Sequence, residues 1–262
     1  MKKILKHLFS LFKFFIKTIF NFLCLYFFNN FFIKKKLGKY GRYYFQLQFI
    51  FSNFSKWATS EKNNGMSILY KLSKEKKCIF DVGSHIGLTT LPISNQNNFI
   101  HAFDISKTNC NILKKNLKKN DINNVKVNNL CVSNNTESIL FKDSYFSNPT
   151  NQVNVYNKNI ISKNICIKSI TIDEYVSNNN IKPDLIKIDV EGFEYFVLEG
   201  SKNTVSKINP IIILSYHPHL LLKNGINDDK FFNLLKKLDL KIKSINGEVP
   251  KKMLHQDYIL KK

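Results

Sequence analysis

Arginine is almost absent: of forty basic residues only Arg42 is not a lysine. A surface built to read nucleic acid draws on arginine, whose planar fork matches phosphates and guanine edges. The formal net charge of +21 on this 262-residue chain therefore does not by itself make it a nucleic-acid binder. Acidic residues are missing altogether from residues 1–60, which hold eleven lysines and arginines, and Glu61 is the first carboxylate. Residues 61–262 carry 29 basic against 19 acidic groups, so more than half of the excess sits in less than a quarter of the chain. The five cysteines (Cys24, Cys78, Cys110, Cys131, Cys166) are odd in number, scattered and without a C-x-x-C pair. That argues against a disulfide framework or a zinc ribbon and suits a reducing compartment. No apolar run reaches the roughly 20 residues of a spanning helix. The longest lysine-free stretch, Thr18–Ile33, has 16 residues and contains Asn21, Asn29 and Asn30. No small-residue cleavage site follows it, which speaks against a secretory signal.

What is present at the N-terminus is an amphipathic pattern. On a helical wheel, Lys2, Lys3, Lys6, Ser10, Lys13, Lys17 and Asn21 share one arc, while Phe9, Leu11, Phe12, Phe15, Ile16 and Ile19 lie off it. Lys34, Lys35, Lys36, Lys39 and Arg42 follow. An interfacial anchor, with its apolar face in the acyl boundary and its lysines at anionic headgroups, accounts for both stripe and cluster. A span, a helix packed on the following domain and a signal are the alternatives. The pattern predicts a membrane-associating helical segment over 1–45 and a helical lead-in over 46–77. The lead-in's aromatics, Tyr43 to Trp57, are expected to cover a sheet edge.

From Cys78 onward strands and helices alternate. Cys78–Val82, Phe99–Phe103, Val125–Val132, Leu185–Ile188 and Ile211–Leu214 read as strands, with Leu240–Ile245 and Tyr258–Leu260 closing the chain. Helical patterns begin near Leu88 and cover Lys107–Asn120, Phe193–Gly200 and Lys230–Leu238. Such alternation indicates a doubly wound α/β sheet spanning residues 78–262. Residues 134–180, rich in Asn and Ser, interrupt the rhythm and read as a β insertion, with strand-like pieces at Ser138–Phe141 and Ile165–Ile172.

Two constellations carry chemistry. The first is Asp81-Val82-Gly83-Ser84-His85-Ile86-Gly87, a strand running into a glycine-punctuated turn. Glycine is needed where backbone approaches a ligand or adopts positive φ, and Asp81 places a carboxylate beside any cationic ligand group. Asp104 ends the next strand, where a carboxylate accepts hydrogen bonds from ribose hydroxyls. A dinucleotide site wants G-x-G-x-x-G. Here the spacing is Gly83-x-x-x-Gly87 with an acid before it, which repels a pyrophosphate and attracts an amine and a sulfonium, so S-adenosylmethionine fits better than NAD. The second constellation is Asp184-Leu185-Ile186-Lys187-Ile188-Asp189-Val190-Glu191-Gly192-Phe193-Glu194.

The second constellation resembles the signature of the FkbM-type methyltransferases. Asp81–Gly87 resembles that family's D-V-G-A-N-I-G motif, with Ser84-His85 in place of Ala-Asn; Ala102-Phe103-Asp104 resembles its second-strand acidic motif. Ser169-Ile170-Thr171-Ile172-Asp173-Glu174 resembles the short element before the fourth strand. The resemblance covers about Cys78–Leu260. It implies a seven-stranded, Rossmann-like sheet, mostly parallel with an antiparallel last strand, and methyl transfer to oxygen, often of a sugar or polyketide. It also implies S-adenosylmethionine held by Asp81, Gly83, Ser84, His85, Gly87, Asp104 and Asp189. The chain departs from the family just after the fifth strand, where an acid is common and Ser215-Tyr216-His217-Pro218 stands instead; His217 is placed to take over that acid's role.

The residues independently favour hydroxyl chemistry. Amino-methylating nucleic-acid enzymes place an aromatic base-stacking loop after the fourth strand, and this chain places Asp189 and Glu191 there. A hydroxyl attacking a sulfonium methyl must lose its proton, and a carboxylate or imidazole accepts it. Asp189, Glu191 and His217 are thus the catalytic candidates, while Glu191 and Glu194 also suit the first turn of a helix. His217 and His219 form an H-x-H pair without a clear third ligand, so no metal is expected. The expected protein is a cytoplasmic O-methyltransferase at the inner membrane face, its acceptor a sugar, glycan or glycolipid and its further partner an anionic membrane surface, with no nucleic acid expected. The alternatives are a nucleic-acid methyltransferase and a non-catalytic membrane-associated protein that keeps the fold.

Overall fold

A computed structural model describes residues 30–60, 64–141 and 165–262, with scattered positions between Phe9 and Phe28. The N-terminal lysine stripe, Cys24 and the centre of the insertion, 142–164, lie outside the described residues. The strands are β1 (Phe32–Lys36), β2 (Arg42–Gln46), β3 (Cys78–Val82), β4 (Phe99–Asp104), β5 (Val125–Asn129) and β6 (Cys131–Val132). They continue as β7 (Ser138–Phe141), β8 (Ile165–Ile170), β9 (Leu185–Ile188), β10 (Ile211–Ser215), β11 (Lys241–Ser244) and β12 (Asp257–Lys261).

Seven of these form the main sheet in the order β11-β12-β10-β9-β3-β4-β5. β10, β9, β3, β4 and β5 pair in parallel, and β12 runs antiparallel to both of its neighbours. The central strands are apolar on both sides because helices cover both faces. Alternation divides them cleanly. Phe80, Val82, Ile186, Ile188, Ile212 and Leu214 face one core. Ile79, Ile100, Ala102, Leu185 and Ile213 face the other. The reversal of strand order between β3 and β9 opens a crevice at the strands' carboxyl ends, the place where such sheets bind ligands.

The segment before β3 departs from the sequence reading. Residues 32–46 are not helical: β1 and β2 pair as an antiparallel hairpin with Lys36 opposite Arg42. The outer edge of β2 is satisfied by asparagine side chains. The N–H of Tyr44 donates to Asn120 Oδ1 at 2.8 Å, and that of Gln46 to Asn116 Oδ1 at 3.1 Å. A 3₁₀ turn (Leu47–Phe49) and helices Phe54–Thr59 and Asn64–Ser73 follow. Phe45, Phe54, Ala58, Met66 and Leu69 pack on a sheet face rather than an edge, because a two-layer sheet leaves its second face uncovered until this segment arrives.

The third strand is also shorter than its apolar pattern suggests. Asn129 Nδ2 donates to the carbonyls of Asp104 and Ile105 and ends the ladder. Cys131–Val132 then leaves the main sheet for a smaller one with β8 and β7. The β7–β8 hairpin is antiparallel. It leads into a helix over Ile172–Asn179, where the sequence reading placed only insertion. Thr171 caps that helix by accepting from the N–H of Glu174 at 2.9 Å. Asp173 in turn accepts from the N–H groups of Asn203 and Thr204, at 2.8 and 2.7 Å, at the start of helix Lys202–Ile208.

Removing an N-terminal cap costs about 1 kcal/mol, and up to about 2 when two donors lose their partner. Asp173→Ala is therefore expected to lower the unfolding free energy by that amount, read as a lower urea midpoint with an unchanged slope. A midpoint equal to wild type would show the two contacts to be idle.

Candidate active site

Parallel pairing sets the floor of the crevice. Asp81 on β3 lies directly opposite Lys187 on β9, so both side chains project to the same face. The Lys187 ammonium sits 3.1 Å from Asp81 Oδ1, donates to the Gly83 carbonyl at 2.8 Å and lies 3.7 Å from Asp189 Oδ2. The other oxygen of Asp81 accepts from the hydroxyls of Thr89 at 2.8 Å and Thr90 at 2.7 Å. Burial acts to lower the Lys187 pKa, but the charges of Asp81 and Asp189 outweigh it and raise it. Asp81 is fully buried. It is thus an internal counter-ion rather than the ligand-facing carboxylate expected from its place at a strand end.

The turn after β3 is held against both neighbouring strands. The N–H groups of Gly83 and Ser84 donate to the Phe103 carbonyl at 2.9 Å, and the Ser84 hydroxyl donates to the same oxygen. Gly83 has φ +84°, and a Cβ there would stand 1.8 Å from the Asp189 carbonyl oxygen. No side chain fits where the two strand ends approach so closely. Gly87 closes the turn, its N–H donating to the Ser84 carbonyl at 2.9 Å. His85 adopts φ +49° and donates its N–H to Asp104 Oδ2 at 2.8 Å. Burial and the Lys187 charge lower its imidazole pKa to about 4, so it is neutral at pH 7. Asp104, at the end of β4, also accepts from the Ser106 N–H at 2.8 Å and Asn109 Nδ2 at 3.1 Å. Burial nevertheless raises its pKa to about 6.

Beyond β9 the chain makes a strained turn. Glu191 has φ +50° and Gly192 φ +100°. A Cβ on Gly192 would stand 2.6 Å from the Leu220 Cβ. Glu194 opens the helix Glu194–Glu199, but its buried carboxylate does more than complement that helix. Its Oε1 accepts from the Gly192 N–H at 3.0 Å and meets His217 Nδ1 at 2.8 Å. The other imidazole nitrogen, Nε2, faces Glu191 Oε1 at 3.7 Å and Asp189 Oδ1 at 3.9 Å. Burial alone would lower the His217 pKa, but the Glu194 hydrogen bond and the charges of Glu194, Asp189 and Glu191 raise it to about 9.

The structure therefore unites Asp189, Glu191 and His217, the three catalytic candidates, from the ends of β9 and β10. His219 is exposed; the His217 and His219 rings both lie beside His255, at 4.8 and 5.7 Å, but the acids face His217 alone. Asp189 and Glu191 supply the further donors that the sequence reading did not find beside His217. Sequence reasoning missed Lys187 and underrated Glu194. It also missed Asp257 at the start of β12, which accepts from the Ser215 hydroxyl and the Gly65 N–H. A lysine inside an otherwise apolar central strand was the available signal for Lys187. Four carboxylates (Asp81, Asp189, Glu191, Glu194) face two cationic side chains, Lys187 and His217. Two negative charges are left in excess.

Residues 81–259 match the family model described as the methyltransferase FkbM domain. Among solved structures, the FkbM methyltransferase of Methylobacillus flagellatus KT matches with a TM-score of 0.49 and 15% identity, over 82% of this chain and 54% of its own. This chain thus spans about half the length of that protein. An O-methyltransferase from Bacillus cereus, solved in complex with SAH, matches with a TM-score of 0.41 and 12% identity over 78% of this chain and 82% of its own. An rRNA methylase from Streptococcus thermophilus matches at 0.42 and 7% identity over 78% and 96%. No curated protein sequence matches the chain.

Breaking a buried ion pair by removing one partner costs about 3–5 kcal/mol, because the other charge is left uncompensated. Lys187→Met should cost that much in chemical denaturation, and the double variant Asp81→Asn/Lys187→Met should recover part of it. Equal losses in the single and double variants would show that the two side chains act separately.

Proposed function

The chain belongs to the FkbM methyltransferase family, and from that premise we propose that this S-adenosylmethionine-dependent methyltransferase modifies oxygen, on a hydroxyl of a sugar, glycan or glycolipid. The observation that carries the reading is the convergence of Asp189, Glu191 and His217 at the carboxyl ends of β9 and β10. The residues also fit the cofactor. A crevice with two negative charges in excess suits a ligand bearing a sulfonium and an ammonium. Asp104, buried and raised to about 6, gains from the hydrogen-bond donors that ribose hydroxyls provide. The Gly83–Gly87 turn with Ser84 and His85, Asp104 and the outer oxygen of Asp189 are the groups that would hold it, above the Asp81–Lys187 floor.

When bound, S-adenosylmethionine supplies a methyl group activated by its sulfonium. The chain's own part is to orient the acceptor hydroxyl and to take its proton. With a pKa of about 9, His217 already carries a proton at pH 7. The carboxylates of Asp189 and Glu191 are then the groups free to accept one, and His217 positions them. Burial raises the Glu191 pKa, which makes it the better proton acceptor. Most of the acceleration is expected from in-line placement, since the methyl is already activated.

Membrane contact belongs to the same reading. Phe9, Phe12, Phe15, Ile16 and Ile19 are exposed, as are Lys34, Lys36, Lys39 and Arg42 on the hairpin. Exposed apolar groups and exposed cations together suit an anionic bilayer surface, where each basic residue contributes about 1 kcal/mol. Among the described residues no helix is long and apolar enough to cross a membrane. This contact supports our reading of a protein working at the cytoplasmic membrane face on a lipid-linked acceptor.

Titration calorimetry with S-adenosylhomocysteine is the direct test, and an absence of binding would end the cofactor assignment. The sign of its pH dependence follows from Asp104. Above pH 6 the carboxylate is ionised and accepts from the ribose; below it, affinity should fall by up to about tenfold per pH unit. Asp104→Asn should be weaker at pH 7.5 and flat with pH. For the membrane contact, sedimentation with phosphatidylglycerol vesicles should recover the full chain. Binding should weaken at least tenfold in 0.5 M NaCl or on deletion of residues 1–30, and equal binding to neutral vesicles would count against the basic residues.

A further inference from the structure

The geometry points to a divalent cation site formed by Asp189 Oδ1, Glu191 Oε1 and His217 Nε2, of the kind that takes Mn²⁺ or Mg²⁺. Each of the three residues offers one donor atom, and these lie within 4.8 Å of one another. Nε2 is 3.7 Å from Glu191 and 3.9 Å from Asp189. Donors around one ion with bonds of about 2.1 Å stand about 3.0–3.5 Å apart, so closure needs the side chains to draw together by up to about 1 Å. Two carboxylates and one imidazole are a mixed hard and borderline set, suited to Mn²⁺ and Mg²⁺ rather than to a thiophilic ion.

Three further features support the site. Glu194, fully buried, engages Nδ1 of His217 at 2.8 Å. This is the outer carboxylate that metal-ligating histidines use to fix the ring and its tautomer, and it leaves Nε2 to face the two acids. Glu191 is held at φ +50°, a conformation that costs an L-residue about 1–2 kcal/mol and that accompanies its position facing Nε2. Four carboxylates crowd Lys187 and His217, and a bound cation would take the place of the proton on His217 Nε2 between Asp189 and Glu191. Three protein ligands leave further positions open, and the Asp189 side chain, 37% exposed, marks the solvent side.

The role of the ion, though not its binding, rests on the O-methyltransferase reading. A cation here would take the acceptor hydroxyl oxygen as a ligand and lower its pKa. Two adjacent ring hydroxyls, as on a sugar, would chelate it through both oxygens. That would select vicinal diols over isolated alcohols.

Mn²⁺ binding to the full chain, freed of metal by chelator, is read from the loss of the free-ion electron paramagnetic resonance signal. One Mn²⁺ per chain is expected. Affinity should fall at least tenfold in Glu191→Gln and in His217→Ala, and stay unchanged in the exposed His219→Ala. Retained far-ultraviolet circular dichroism guards against misfolding, and in wild type Mn²⁺ should broaden the proton resonances of the His217 ring. Wild type that binds S-adenosylhomocysteine but no stoichiometric Mn²⁺, or variants that bind Mn²⁺ as wild type does, would overturn the site. Mn²⁺ binding without S-adenosylhomocysteine binding would uphold the site and overturn the cofactor assignment instead.

Discussion

One ammonium group holds the centre of this protein together. Lys187 stands on the middle strand β9, in a layer where its neighbours along the chain are isoleucines, and its charge is neutralised by Asp81 across the ladder. An isolated pair so deep is expensive to desolvate. The remaining capacity is filled by the Gly83 carbonyl on the lysine side and the Thr89 and Thr90 hydroxyls on the aspartate side. The pair therefore clamps three things at once: the register of β3 on β9, the turn that leaves β3, and the start of the helix after it. The glycine requirement at Gly83 follows from this clamp, because the turn is drawn onto the Asp189 carbonyl.

A second anchor, Glu194, organises the opposite wall in the same manner. Its single oxygen Oε1 ties the Gly192 backbone to the His217 ring, so the strained turn at Glu191 and the segment after β10 cannot move independently. Asp189 and Glu191 thus look into the crevice from a backbone fixed at both ends, which is the preorganisation that electrostatic catalysis depends on. Asp189 and Glu191 are partly exposed, while His217 and the groups that hold them, Glu194 and Lys187, are buried. Buried ion pairs gather in this crevice, while the cores on either sheet face are apolar.

Charge has two separate meanings in this chain. The lysines that give the +21 are gathered at the N-terminus or spread over helix surfaces such as Lys114, Lys115, Lys118 and Lys119. The candidate site is a small acidic crevice built around one buried lysine. A basic protein with an acidic site keeps its long-range field and its local chemistry apart. The former suits an anionic surface and the latter a cationic ligand.

The sequence by itself determined the sheet, because apolar runs with turn signals between them are local facts, and it placed Asp81, Asp104 and Asp189 at strand ends. It also held the capping pattern Thr171-x-x-Glu174, which was legible but was absorbed into a family motif, so the helix behind it went unread. It did not show that residues 32–46 pair as a hairpin, since lysine-rich strands with aromatics carry no clean alternation. Nor did it show that Asp81 turns inward: that depends on Lys187 lying opposite, and register between strands a hundred residues apart is not written in either one. The tertiary structure alone decided that His217 meets Asp189 and Glu191 rather than His219. Residues at H-x-H spacing are not thereby joint ligands, and it is the parallel strands β9 and β10 that bring Asp189 and Glu191 to His217 from a distant part of the chain.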